Sequence, residues 1–145
     1  MEAEESEDVL RFWFPELAGA DHARMVRQFE WWFRGGADSA IVERFAQLLE
    51  RATRGELDHW SQWPRPRLAL IIVLDQFSRS LYRDTARAFA QDPKALATLR
   101  LSKLLGRGLS SFSHWGIPRS SRTWIAQSHL PSSSRKMRRR NFVGF

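Results

Sequence analysis

At 145 residues, 43% hydrophobic and 12% aromatic, the chain has the length of one domain and enough apolar side chain for a core. It has no cysteine, which excludes disulfides, a thiolate nucleophile and cysteine-based zinc or iron–sulfur sites. The net charge of +7 is uneven: residues 1–92 hold all 16 acids against 12 bases, whereas residues 93–145 hold 11 bases and no acid.

The chain opens with "MEAEESED", acidic where a secretory signal needs basic residues. Its longest apolar run, Leu68 to Leu74, is far shorter than the roughly 18–20 residues of a membrane helix. A cytoplasmic protein with no membrane partner is the expectation. In "SEDVLRFWF", Ser6 is placed as an N-cap, and Val9, Leu10, Trp13 and Phe14 follow helical spacing up to Pro15. Asp21 can cap a second helix through Phe33, with Met25, Phe29, Trp32 and Phe33 on one face and Gly35–Gly36 as its stop. Asp38 opens a third, in which Ile41, Phe45, Leu48, Leu49 and Ala52 make an apolar stripe that ends at Gly55.

A connector, "GELDHWSQWPRPR" (55–67), leads to a helix over about Arg67 to Phe77, with Pro66 in its first turn. Its "LALIIVL" would also suit a buried strand, but the chain offers no second strand to satisfy that backbone. "DTARAFAQ" reads as a short helix capped by Asp84. "DPKALATLRLSKLLGRG" reads as a longer one, with Asp92 as cap, Pro93 at the first position and Gly106 as stop. The expected fold is all-α: antiparallel helical hairpins packed on one another over residues 1–106. Residues 107–145 form a basic, Ser/Arg-rich tail without periodicity, irregular except for a short helix around Trp124 to Gln127.

The stretches "VLRFWF" (9–14), "WWF" (31–33), "IVERFAQLLERATRGELDHW" (41–60) and "LALIIVLDQFSRSLYRDTARAFAQDPKAL" (68–96) occur in order, and together they resemble a bacterial family named only as domain of unknown function 924. The resemblance covers about residues 9–100. It implies a tetratricopeptide-like α-α superhelix and no established activity. Family members carry Pro and Asn near the "DQF" motif, where this chain has Ser78 and Ser80, and they continue into a second motif that ends in His-Ser-Glu. No such motif follows Gly106. The superhelix therefore reads as truncated, its C-terminal half replaced by frameshifted or unrelated sequence, with a natural basic extension as the alternative.

Asp75 falls four residues after Ile71 and three after Ile72, so a continuing helix buries it on the core stripe. A buried carboxylate needs a cation or several donors. Arg79 stands at i+4, and Tyr82 and Arg83 extend the face if the helix persists. Two readings follow. In one, Asp75, Gln76, Arg79, Tyr82 and Arg83 line a site for a small anionic ligand, and the chain is a binder or an enzyme. In the other, Asp75 and Arg79 fasten a helix junction.

Trp13, Trp31, Trp32, Trp60 and Trp63 suit either an aromatic cage or the core. The four histidines, His22, His59, His114 and His129, show no metal-ligand spacing, and neither a metal nor a cofactor is expected. Arg135, Lys136, Arg138, Arg139 and Arg140 would hold nucleic acid only non-specifically. The favoured function is that of an interaction or scaffold domain. A helical face left uncovered would then take a protein partner or a second copy.

Overall fold

The computed structural model describes residues 2–14 and 21–105. Pro15, Gly106, the tail 107–145 with its basic run, and the side chains of His22, Met25, Phe29 and Phe33 lie outside the described residues. In chain order the elements are α1 (Glu2–Trp13), α2 (His22–Phe33), α3 (Asp38–Thr53), a 3-10 turn (Asp58–Gln62), α4 (Pro64–Ile72), a π-helical turn (Val73–Phe77), α5 (Ser78–Leu81), a second 3-10 turn (Ala86–Phe89) and α6 (Asp92–Leu104). No strand occurs among the described residues, and the fold is all-α.

Several local rules operate as read. The Asp21 side chain accepts a 2.8 Å bond from the Arg24 amide and caps α2. Gly35, at φ +83°, takes the left-handed turn that ends it. All five stripe residues of α3 are buried.

Four starts differ. Helix α6 begins at Asp92 itself, so Asp92 is in its first turn rather than its cap, and the Gln91 carbonyl accepts the first bond, from the Ala95 amide at 2.9 Å. Helix α1 begins at Glu2 rather than after Ser6, because acids are favoured in a first turn; Ser6 is buried in the helix interior. Helix α4 begins at Pro64 rather than Arg67, since both prolines fit a first turn whose N–H groups are not needed. Asp84 does not cap a helix. It adopts φ +62°, a left-handed conformation that Asp tolerates, and so turns the chain ahead of the 3-10 segment.

Helix α4 and the π turn form the hub. Every residue from Arg67 to Ser78 is buried, because α1 and α6 pack on α4 while α3 packs on the π turn and α5. A helix enclosed on all sides needs no polar face, which is why its sequence is an unbroken apolar run. Each large apolar side chain buried there contributes roughly 1.5–3 kcal/mol relative to exposure. Phe77 sits where α1 and α3 meet the hub: its ring centroid lies 4.9 Å from that of Phe45, 5.9 Å from Trp13 and 6.1 Å from Phe12.

Ion pairs tie the rim. Glu5 meets Arg51 at 2.8 Å and joins α1 to α3. Lys94 of α6 reaches Asp58 at 2.7 Å and donates to the Ala52 carbonyl at 2.8 Å, near the C-terminus of α3. Arg65 grips Glu7 with a two-pronged bond of 2.6 and 2.7 Å, joining α1 to α4. That bond holds the Glu7 carboxyl below its ordinary range against the opposing pull of burial. A carboxylate lowered in the fold stabilises it above the unfolded value and loses this contribution as pH falls through the folded value. Glu7→Gln should therefore cost about 0.5–1 kcal/mol near neutrality, solvent screening limiting the effect. The gap to the parent should close in acid, as followed by urea denaturation at stepped pH; a gap that stays constant would contradict this.

Candidate functional site

The π turn sets the geometry at Asp75. Such a turn widens the helix by one residue, and here it carries Asp75 and Gln76 into the interior, with Asp75 only 1% exposed. Arg79, one turn on in α5, reaches back to Asp75 Oδ1 at 3.0 Å. Gln76 Nε2 donates to the other carboxylate oxygen, Oδ2. The Arg79 guanidinium also donates to the Ala88 carbonyl at 2.8 Å and to Asp92 Oδ2 at 3.2 Å, and it lies over the Phe89 ring, 4.3 Å from the centroid. Asp92 Oδ1 is as close, at 3.1 Å, but lies off the N–H direction; it is an ion-pair contact without a hydrogen bond. One cation thus serves two carboxylates, a backbone carbonyl and a ring. It joins α5, the second 3-10 turn and the start of α6.

The other two members of the expected cluster point elsewhere. Helix α5 ends at Leu81, so the face that would have carried Tyr82 and Arg83 with Asp75 does not continue. Arg83 pairs with Asp38 at the start of α3, at 2.6 and 2.9 Å, a bond that raises its already high pKa. Beside it Gly35 leaves just enough room, since a Cβ there would stand 3.0 Å from Asp38 Oδ2. Tyr82 accepts a 3.1 Å bond from Arg87, whose guanidinium stacks 4.1 Å above its ring. The five residues form three separate junctions. Arg83→Ala should lower stability by about 1 kcal/mol or less, the range for a partly exposed pair. A site role would instead leave the melting curve in place and remove a ligand's stabilising effect, so a thermal melt of the variant separates the two.

Sequence reasoning missed three things. Asp92, a helix cap by local spacing, turns its carboxylate to Arg79; a pairing 13 residues away leaves no trace in local spacing. Arg67, a helix start by local spacing, is 2% exposed and donates to the Ser61 carbonyl at 2.6 Å, with Ser102 Oγ at 3.5 Å. The third is an open cleft of about 420 Å³ lined by Phe12, Arg24, Arg27, Gln28 and Trp31. Its trace in the sequence is the 24, 27, 28, 31 spacing, which places these four residues on one face of α2.

The tryptophans form no cage. Trp13 is buried and stacks on Trp32 at 5.8 Å, and Trp60 is buried at the hub, whereas Trp63 stands 65% exposed. Among the described residues, no group of three or more His, Asp and Glu could hold a metal ion, and no helix is long and apolar enough to cross a membrane.

No curated protein and no solved structure matches the chain. A family model described as "Bacterial protein of unknown function (DUF924)" matches residues 9–132. That match runs past Gly106, where the motif reading ends the resemblance, and leaves only residues 133–145 beyond it. Similarity spread over single residues, rather than gathered in a motif, is not visible to motif reading. With 124 of its 145 residues inside that match and an all-α fold around the "LALIIVLDQF" hub, the chain belongs to this bacterial family of unknown function, DUF924.

Proposed function

We propose that the protein is a cytoplasmic helical interaction domain, stacked in the tetratricopeptide-like manner and presenting the outer face of α6 to a protein partner or a second copy. One observation carries this reading. Leu101 and Leu104 on α6, and Leu105 in the turn directly after it, stand at i, i+3 and i+4 and are 41%, 81% and 57% exposed. A leucine stripe at helical spacing is the seam by which helices pair. The charges that would have marked a reaction centre are consumed internally, since Asp75 and Asp92 share Arg79. Exposed Trp63 stands one turn before Arg67, which reaches Ser102 on α6, so a large aromatic lies at the same end of the α4–α6 pair. Aromatic side chains of this kind anchor interfaces.

Replacing Leu101, Leu104 and Leu105 together by serine tests the reading. The parent should exceed its 16.9 kDa chain mass in light scattering, or give a discrete adduct from a photoreactive group at position 104 in bacterial cells, and the serine variant should do neither. A monomeric parent with no such adduct would overturn it.

A further inference from the structure

The leucine stripe of α6 is edged by charge of one sign. Exposed Ala97 lies one turn before Leu101, so the apolar strip runs over Ala97, Leu101, Leu104 and Leu105. Arg100 falls three residues after Ala97 and four before Leu104, which puts it along the edge of that strip. It is exposed, and it has no hydrogen bond or ion pair among the described residues. Lys103 is the next basic position of the helix. After Asp92 the helix has no acid. The acids at its N-terminal end are already engaged, Asp92 with Arg79 at 3.1 Å and Asp58 with Lys94 at 2.7 Å.

Given that the α6 face is an interface, on which this rests, we propose that its occupant is an acidic amphipathic helix of a different protein. The partner's apolar stripe would pack on the leucines, and acids flanking that stripe would meet the basic edge at Arg100. This chain cannot supply such a helix. Residues 93–145 contain no acid, so neither the α6 of a second copy nor the sequence after it brings the missing charge. Two α6 strips laid face to face would set basic edges against one another, and like charges across an interface select against that pairing. The acid-rich helices are α1 and α3, and both spend their apolar stripes on the fold. Val9, Leu10 and Trp13 of α1 are buried, as are Ile41, Phe45, Leu48 and Leu49 of α3.

Fluorescence anisotropy of the full chain with three labelled helical peptides tests this. The first has leucine at i, i+3, i+4 and i+7 with glutamate at the flanking positions. The second has lysine for each glutamate, and the third keeps glutamate but has serine for each leucine. At low ionic strength the first should bind about tenfold more tightly than either of the others. Leu104→Ser should weaken its binding about tenfold. Arg100→Glu should cut its advantage over the lysine peptide about tenfold. Arg27→Glu, the same reversal at an exposed position on α2, should change that advantage by less than about twofold, which separates a docking edge from general attraction to a basic protein. Circular dichroism confirms that each variant stays folded. Equal binding of the glutamate and lysine peptides, or equal effects of Arg100→Glu and Arg27→Glu, overturns the acidic partner, while an affinity that depends on Leu104 leaves the α6 surface standing as an interface. A serine peptide that matches the first overturns the packing of stripe on stripe. A parent that self-associates through Leu104 overturns the different protein in favour of a second copy, again with the surface intact. No binding of the glutamate peptide up to about 1 mM overturns the proposal outright. If the parent is then also monomeric and gives no adduct in cells, the interface reading falls with it.

Discussion

Replacing Arg79 by alanine is expected to cost roughly 3–5 kcal/mol, the range for stripping the partner from a buried charge. Asp75 would be left at 1% exposure with one amide donor, too little to offset the loss of hydration. Asp92 and the Ala88 carbonyl would lose the same guanidinium. Asp75→Ala should be milder, about 1–3 kcal/mol, because it removes the buried charge itself. Arg79 would then keep Asp92, Ala88 and the Phe89 ring, while Gln76 loses an acceptor. The double variant should cost less than the two single effects added together, since each single change already breaks the one shared bond. Urea denaturation of the three variants reads this directly. An Asp75→Ala protein less stable than Arg79→Ala would show that the carboxylate does something other than neutralise its neighbour.

The second large effect is expected at Phe77. Its ring is fully buried and touches the rings of Phe12, Trp13 and Phe45, so it closes the contact between α1, α3 and the hub. Phe77→Ala should cost about 3–5 kcal/mol, combining lost transfer energy with the cavity left behind. Phe77→Leu should cost about 1.5 kcal/mol, since it fills most of the volume but ends three ring contacts. Both variants should show a weakened near-ultraviolet circular dichroism signal, because ordered Trp13 would lose a packing partner. Against a typical domain stability of roughly 5–15 kcal/mol, the alanine variant loses about a fifth of the total or more. A cost below about 1 kcal/mol would mean that the three helices do not meet at this ring.

Much of the helical framework could be read locally. The stripe Ile41, Phe45, Leu48, Leu49 and Ala52 is buried as its spacing requires, Asp21 caps α2, and Gly35 and Gly55 stand at positive φ at the ends of α2 and α3. These features depend on neighbours within about four residues, where side-chain direction and capping are set by the helix itself. The Asp75–Arg79 bond was legible for the same reason, as an i, i+4 pair. Extending that face to Tyr82 and Arg83 failed because helix persistence is not a local property. The π turn and the left-handed Asp84 end the regular helix at Leu81, and Asp38 and Arg87, from other turns of the chain, claim the two side chains.

Residue order alone determined that this chain is helical, where most of its helices lie, that its greasiest segment is a helix rather than a strand, and that Asp75 has its cation four residues away. Only the tertiary structure decided that this segment is enclosed by α1, α3 and α6, that Arg79 is shared with Asp92, and that Phe12 meets α2 to form a cleft. The reason is range. Backbone hydrogen bonding and side-chain spacing act over one or two turns and are written in consecutive residues. Burial, ion pairing and cavities instead arise where segments tens of residues apart come within a few ångströms, and that proximity is settled by packing the whole set of helices at once.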